Sequence, residues 1–553
     1  MSYEILYDNP DEQIFERLLK IRNIEEDVNN FLNPSFSNSW IDPYQLNDFD
    51  VAIKRIMKAI SNNEKIIVFG DYDVDGITST YLIYTFVTKF LGYKKISIRL
   101  PNRLKDWYWI KDHHLDKMKE VWVSVVITVD NWITSIQEAE YAKSIWLDLI
   151  ITDHHKALDT IPSAFAVVNP QISPNYWFKW IAGVWVAFKI VSWLMSLYIK
   201  DSQKKQEIIQ YLMPIVAIWT VADCVPLLWE NRLFVKMWLD YINTWKNIPQ
   251  SIRNFIKYLN IKNKLEAFHI WFMIWPRINA WGRMQSPYDS LNCLLFTGDK
   301  QLQHLDALEK LNNNRRQTQE ETYKEAEKLI DKEKNVLIAA SSNLHEGIVG
   351  IVAGRITEKY NKPSVIINIK EDEWIAVGSL RWPEYFSVID MLHEAGNYLE
   401  RYGWHKQAWW MTLKIDNISK VKEIFEEYCQ KHVKTEDVKK KLLVDTILYP
   451  WEVKSWNLND IEKLGPYWEA NPEPLFLLDE IIFNNVEKVG KTGKGHLKAH
   501  ASLKWIQFPV MFWWKWEELD YVQLKNPSKL VGKVKKDNYN GWFFVDGSEV
   551  YTS

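Results

Sequence analysis

Acidic and imidazole side chains gather in four short segments of this 553-residue chain. Asp71-Tyr72-Asp73-Val74-Asp75-Gly76 crowds three carboxylates into five positions, and Asp130 follows the apolar run Val-Ile-Thr-Val. Asp153-His154-His155 follows Ile-Ile-Thr, and Asp223 closes Thr-Val-Ala-Asp. Hard divalent cations want several oxygen ligands, and imidazole admits manganese or other transition metals. Carboxylates so close together repel one another strongly unless a cation neutralises them. Two metal ions held side by side clamp the attacking and leaving oxygens of a phosphodiester and activate water. A single Asp-x-Asp is ordinarily a solvated turn or a helix cap. Four such clusters in order point to a metal-dependent phosphoesterase.

The elements that must position these clusters can be read around them. Residues 65–73 read as a short buried strand ending in polar residues, and a helical stretch over 78–90 follows. Apolar runs recur at 95–100, 124–129, 148–152 and 164–168, separated by helical patterns such as 135–145. Strands alternating with helices predict a parallel α/β sheet. In such sheets ligands bind outside the carboxyl ends of the strands. Asp71 to Asp75, Asp130 and Asp153 to His155 each fall at such an end, so one site built from three remote segments is expected.

From Asp223 to about residue 305 the chain reads as helical. Residues 305–334, rich in Glu, Lys, Gln and Arg, read as a long solvated connector helix. Residues 335–433 return to α/β patterning. Beyond 441, short alternating segments (478–486, 496–503, 506–512, 529–534, 542–545) with Asn-Gly and Gly turns predict a small barrel. The domain boundaries expected are 1–60 for an N-terminal segment, 61–235 for the catalytic domain and 236–304 for its helical closure. A connector follows over 305–334, a second α/β lobe over 335–435 and the barrel over 441–553.

Bulk properties narrow the class. Apolar content of 47% with 25% charged residues describes an ordinary globular protein. The net charge of −3 leaves room only for a local basic groove, not a global basic field. No basic start followed by an apolar run marks a secretory signal, and no clean membrane span is present. Cys224, Cys293 and Cys429 are widely spaced, form no zinc-type pair and suit a reducing cytosol. A cytoplasmic protein without membrane attachment is expected.

The series Asp-Tyr-Asp-Val-Asp-Gly-Ile-Thr-Ser, Thr-Val-Asp-Asn, Thr-Asp-His-His-Lys and Thr-Val-Ala-Asp-Cys-Val-Pro-Leu resembles the DHH phosphoesterase superfamily. Over nearly the whole chain it is similar to the RecJ single-strand-specific exonucleases. Pro276-Arg277-Ile278-Asn279-Ala280 with Gly282-Arg283 resembles the segment closing that family's catalytic core. Leu344 to Ala353, Gly378-Ser379-Leu380-Arg381 and Tyr402-Gly403 through His405 resemble its second, DHH-associated (DHHA1) lobe. Leu464-Gly465-Pro466 through Pro474 is similar to the entry into its OB-fold domain. The resemblance implies an α/β fold: a parallel-sheet DHH domain, a smaller α/β DHHA1 domain joined by a long helix, and a C-terminal OB-fold β-barrel.

The resemblance also implies roles. Asp75, Asp130, His154 and Asp223 would hold one metal ion, and Asp73 and Asp130 a second, with Asp130 bridging and Asp71 nearby. His155 would face the scissile phosphate, and Asp153 would orient the histidine pair. Arg277, Asn279, Arg283, Ser379, Arg381 and His405 would contact nucleic acid; forked guanidiniums suit an anionic 5′ end. The metal would be Mn2+ or Mg2+ and the substrate single-stranded DNA, cut 5′→3′ to mononucleotides in repair and recombination. The partners would be single-strand-binding protein and a helicase, and the chain a monomer. Alternatives are a DHH phosphodiesterase for short oligonucleotides and a noncatalytic single-strand-binding scaffold. The barrel argues against the first, and the intact acidic clusters against the second.

One feature breaks the pattern. Thirty tryptophans stand beside only 19 glycines, and Trp132, Trp122, Trp146, Trp185, Trp219, Trp229 and Trp374 are among many that fall where the family has glycine. Together the two residues make an ordinary glycine share. Glycine serves positive-φ turns and close backbone approach, which indole cannot replace. A source reading UGA as glycine, translated on paper as tryptophan, produces this pattern. Phe512-Trp513-Trp514-Lys515-Trp516, which on its face is a base-stacking platform, becomes on that reading a flexible Phe-Gly-Gly-Lys-Gly turn.

Overall fold

The computed structural model describes residues 2–552 apart from 102–111, 245–246, 263, 285–286, 406–407, 440, 454, 491–494, 514–525 and 537–542. The chain divides into two compact units, and 306–442 makes up most of one of them. The larger unit holds the four acidic segments.

Its centre is a five-stranded, wholly parallel sheet of β1 (Lys65–Gly70), β2 (Ile96–Arg99), β3 (Val123–Val129), β4 (Asp148–Thr152) and β5 (Ala166–Val168). The order is β2-β1-β3-β4-β5. β3 reads Val-Ser-Val-Val-Ile-Thr-Val and is buried along nearly its whole length, as a strand covered on both faces must be. Helix α1 (Val74–Thr85) follows β1 directly. It begins four residues before the expected helix because the Asp73 side chain caps it, accepting from the amides of Asp75 and Gly76 at 3.0 and 3.1 Å. Asp75 therefore sits in a helical first turn rather than on a loop. Helices α2 (Gly183–Tyr198) and α3 (Ser202–Ala222) pack on α1, and Asp223 is the C-cap of α3. The buried pair Lys189–Glu230, at 2.8 Å, anchors α2, and Lys189 also donates to the Ile41 carbonyl.

Helix α4 (Gly298–Leu329) is the long connector and starts seven residues earlier than its charge pattern indicated. In the smaller unit, β6 (Leu337–Ser341), helix α5 (Val349–Tyr360), β7 (Ser364–Lys370), β8 (Ile375–Arg381), β9 (Arg401–His405) and β10 (Ala408–Lys414) form an α/β lobe. Its sheet order is β9-β10-β8-β7-β6, parallel only between β6 and β7.

The C-terminal strands are β11 (Thr446–Ile447), β12 (Phe476–Val489), β13 (His496–Leu503), β14 (Ile506–Phe512), β15 (Pro527–Lys536) and β16 (Phe543–Thr552). They run β11-β12-β13-β14-β16-β15, and β12 also pairs with β15, which closes a barrel. The helix Ile14–Ile21 belongs to this region: Ile14, Leu18 and Leu19 share one core with Phe483, Leu497, Val510 and Val545. Arg17, fully buried, bridges Asp8 and Glu452 and secures the same seam. Residues 514–516 of the aromatic segment lie outside the described residues.

Several tryptophans adopt conformations that suit glycine. Trp122, Trp132, Trp146, Trp229 and Trp374 have φ of 61°, 88°, 57°, 45° and 55°. A residue with a Cβ incurs roughly 1–2 kcal/mol in the left-handed region. Trp122 and Trp146 are each 86% exposed, so no packing offsets that cost. Inside the protein the indole N–H groups of Trp132, Trp185, Trp219, Trp238 and Trp468 have no partner among the described residues, although a buried indole normally finds one. The Trp185 and Phe234 ring centroids are 3.6 Å apart, tighter than aromatic pairs prefer. Glycine at these positions accounts for all three observations. The intact mass of the protein from its native source is therefore expected to fall below 65.8 kDa, with UGA at these codons. Trp122→Gly in a recombinant chain should raise stability by about 1 kcal/mol in thermal unfolding. A native mass matching the tryptophan chain would rule the reading out.

Candidate metal centre

The three parallel strands β1, β3 and β4 end side by side, and Asp71, Asp130 and Asp153 follow them immediately. Ligand atoms of Asp71, Asp73 and Asp130 lie within 4.8 Å of one another, as do those of Asp75, His154 and Asp223, and those of Asp130, Asp153, His154 and His155. Asp130 and Asp75 are 2% and 3% exposed. Asp223 is half-buried.

Backbone amides aim the carboxylates. Asp75 accepts from the amides of Gly183 at 2.5 Å and Val184 at 2.8 Å, the first turn of α2, where the helix dipole favours negative charge. A Cβ on residue 183 would lie 2.9 Å from the Asp130 Cβ and Oδ1 and from Asp75 Oδ2, so only glycine fits there. A Cβ on Gly76 would stand 2.3 Å from the Asp71 nitrogen. Asp130 itself has φ of 63°, a strained backbone of the kind found at functional sites.

The adjacent histidines are held in different states. His154 Nδ1 lies 2.9 Å from the Ile181 carbonyl, an acceptor, which assigns the proton to Nδ1. Nε2 then presents its lone pair 3.1 Å from Asp130 Oδ1 and 3.7 Å from Asp75 Oδ2. Burial and the neighbouring His155 charge push the His154 pKa down, which keeps the ring neutral. His155 is the opposite case. Burial opposes its charge, but Asp153, 2.7 Å from Nδ1, raises it to about 10. The fully buried Asp153 also accepts from the amides of Ile133, His154 and His155. Despite burial, the His155 charge and these bonds hold Asp153 down at about 2. The Asn169 side chain donates to the His155 carbonyl at 2.9 Å.

The donor set fits a cation. Neutral His154 Nε2 and Asp130 Oδ1 are two acceptors 3.1 Å apart with no proton between them, and Asp130 Oδ1 has no hydrogen-bond donor among the described residues. Burial, then Asp223 and Asp73, raise Asp75 to about 7, with His154 working the other way. Burial and Asp73 raise Asp223 to about 7 against the His155 charge. Burial and the same carboxylates raise Asp130 well above its usual range. Such a group stays ionised at neutral pH only if positive charge is supplied.

The expected nucleic-acid contacts are more scattered. Arg277, half-buried on the helix Trp275–Met284, donates Nη1 to the Met273 carbonyl at 2.7 Å; Asn279 is half-buried on the same helix. In the smaller unit, Arg381 Nη1 donates to Ser379 Oγ at 2.9 Å, both on β8. The side chains of Arg283 and His405 lie outside the described residues. Sequence reasoning missed Gly183, Val184, Ile181 and Asn169, because backbone donors and acceptors leave no residue-type signal. The only available clue was Gly183 opening an apolar run.

Residues 65–218 match the DHH family, N-terminal domain, and residues 444–543 match the RecJ OB domain. The single-stranded-DNA-specific exonuclease RecJ of Bacillus subtilis is 29% identical over 508 residues, 91% of this chain. This chain spans 63% of that relative's length. The crystal structure of RecJ in complex with Mn2+ from Thermus thermophilus superimposes with a TM-score of 0.82 at 23% identity, covering 100% of this chain and 80% of that one. The structure of an exonuclease RecJ bound to manganese gives 0.60 at 26% identity, covering 70% and 95%.

Metal-free protein should lose stability as pH rises. Asp75 and Asp223, raised in the folded state from an ordinary value near 4, contribute stability below about pH 4 that is lost as pH rises through about 7. His155, raised from about 6.5 to about 10, adds a loss in the same direction above neutrality, while Asp153 is flat across this window. In chelator, the melting temperature is expected to fall between pH 5 and pH 8. Saturating Mn2+ should largely abolish that slope, adding about 2.7 kcal/mol at a hundredfold excess over Kd. Equal slopes with and without Mn2+ would show that the cluster holds no cation.

The chain thus carries a DHH-family N-terminal domain at 65–218 and a RecJ OB domain at 444–543, and over most of its length it is similar to RecJ exonucleases.

Proposed function

We propose that this protein is a metal-dependent exodeoxyribonuclease that degrades single-stranded DNA 5′→3′ to 5′-mononucleotides, in DNA repair and recombination. The observation that carries the reading is the facing pair of acceptors, His154 Nε2 and Asp130 Oδ1, amid carboxylates at the carboxyl ends of the inner strands. The relatives' names supply the substrate, and the closed barrel, a fold that binds single strands, supports it.

Asp75, Asp130, His154 and Asp223 hold one ion, and Asp73 and Asp130 a second beside Asp71; the ions are Mn2+ or Mg2+. When bound, they supply a nucleophilic water at neutral pH and charge stabilisation at the phosphorus. The chain's own residues do the rest. Charged His155 donates to the scissile phosphate, and Asp153 fixes its ring and its proton. Arg277, Asn279, Arg283, Ser379, Arg381 and His405 engage the strand backbone and its 5′ end. The reading extends to a cytoplasmic monomer whose partners are single-strand-binding protein and a helicase. Among the described residues no helix is long and apolar enough to cross a membrane.

End-labelled single strands with Mn2+ test the activity. Labelled mononucleotide should appear first from 5′-labelled DNA, and Asp130→Ala should lower the rate by more than about 100-fold, since even groups behind the ligands cost 10–100-fold. Release from the 3′ end, cleavage confined to very short oligonucleotides, or full activity in Asp130→Ala would each overturn it.

A further inference from the structure

Between the metal-site residue Asp130 and the buried Ile133 runs a two-residue turn, Asn131-Trp132, whose backbone carbonyls accept from Thr128 and Ser135 but whose side-chain polar groups have no partner among the described residues. Asn131 is 9% exposed. Neither its Oδ1 nor its Nδ2 has a hydrogen-bond partner among the described residues. A buried side-chain amide left unpaired costs on the order of 1–3 kcal/mol for each group, and native proteins rarely tolerate it without a ligand or water. The backbone just before it is also strained, with φ of 63° at Asp130.

The turn is nonetheless firmly located. The Asp130 amide donates to the Thr152 carbonyl at 3.0 Å, and the Ile133 amide donates to Asp153 Oδ2 at 3.0 Å. Both anchors lie at the end of β4, immediately before His154 and His155. Asn131 is thus clamped on either side to the strand end that carries the histidine pair. Its immediate predecessor, Asp130, has a carboxylate oxygen that likewise lacks a donor. Two adjacent residues with unsatisfied buried polar atoms, at one strand end, describe a place completed by something outside the chain.

We propose that Asn131 is a further substrate-contacting residue, whose side-chain amide N–H donates to a non-bridging oxygen of the bound phosphodiester. The inference rests on the phosphodiesterase reading above and adds to it a neutral donor beside the cationic His155. An amide suits the role: it gives a hydrogen bond to the phosphoryl oxygen without adding charge that would compete with the cations for the carboxylates. Placed on a turn tied to β4, it needs no reorganisation as charge builds on the phosphate.

The test compares Asn131→Ala and Asn131→Asp with the parent, in Trp132 and Trp132→Gly backgrounds. For a residue serving substrate rather than fold, Asn131→Ala should leave the metal-free melting temperature unchanged or higher, because an unsatisfied buried group has been removed. Mn2+ affinity by calorimetry should stay within about threefold, the range of uncertainty in such contacts. Turnover of single-stranded DNA should fall about 100-fold or more, the usual loss for one such donor. Asn131→Asp, nearly isosteric but without the N–H, should be no better than alanine. Binding of a phosphorothioate single strand in Ca2+, read by anisotropy, should weaken in both variants, and this decides the matter whether or not the parent cuts. A fall of several degrees in Asn131→Ala would make the residue structural. Lost Mn2+ affinity would make it part of the metal shell, and unchanged turnover with unchanged strand binding would remove it from the site. Failure of the parent to cut would count against the exonuclease reading alone.

Discussion

Mutual repulsion among buried carboxylates is the constraint around which this protein is organised. Asp71, Asp73, Asp75, Asp130 and Asp223 gather at one end of the parallel sheet, and Asp75 and Asp130 among them are buried. What offsets the cost within the chain is a set of backbone dipoles. The first turn of α2 faces Asp75, that of α1 faces Asp73, and the amides of Ile133, His154 and His155 surround Asp153. Amides of this kind orient anions without cancelling their charge. The remaining deficit is the affinity for a cation, so the fold stores in electrostatic strain what the metal releases on binding.

The same logic explains why two neighbouring histidines differ. Their rings are only 4.4 Å apart, so both could not readily be charged. His154 has a carbonyl behind it and carboxylates in front, which leaves a neutral ring with its lone pair forward. His155 has a carboxylate behind it, which leaves a cation. Asp153 decides the matter because it is completely buried and already saturated by amides, so it remains ionised and supports one charge only. A single sequence triplet thereby provides a neutral acceptor nitrogen and a charged ring, separated by the identity of the group each Nδ1 touches.

Much of this was legible beforehand, and the parts that were not share a physical cause. The strands carrying Asp71, Asp130 and Asp153 are short apolar runs closed by polar residues, and side-chain pattern alone locates their ends. The start of α1 was misplaced because Asp73 caps a helix whose first turn contains Asp75 and Gly76, residues of low helical propensity. Here the capping bond outweighed propensity. The helix Ile14–Ile21 could not be assigned to the barrel, since its partners Phe483, Leu497 and Val510 lie more than four hundred positions away and local periodicity carries no information about them. The α2 amides behind Asp75 escaped for another reason, because a backbone N–H looks the same under any side chain.

The tryptophans are distributed in a way that indole chemistry does not explain. Selection acting on a protein sorts large apolar side chains by environment: indole belongs in half-buried places with its N–H satisfied. Here Trp185, Trp219 and Trp238 are wholly buried with N–H groups that have no partner among the described residues, whereas Trp122 and Trp146 stand 86% exposed in left-handed turns. No single packing role covers both extremes. Glycine covers both, because it serves close approach in the interior and positive φ at the surface. The clustered acidic and histidine residues show no such indifference to surroundings: their side-chain donor atoms gather within a few ångströms of one another. A change made at the level of a codon strikes all environments equally, and that even-handedness separates it from mutation filtered by folding.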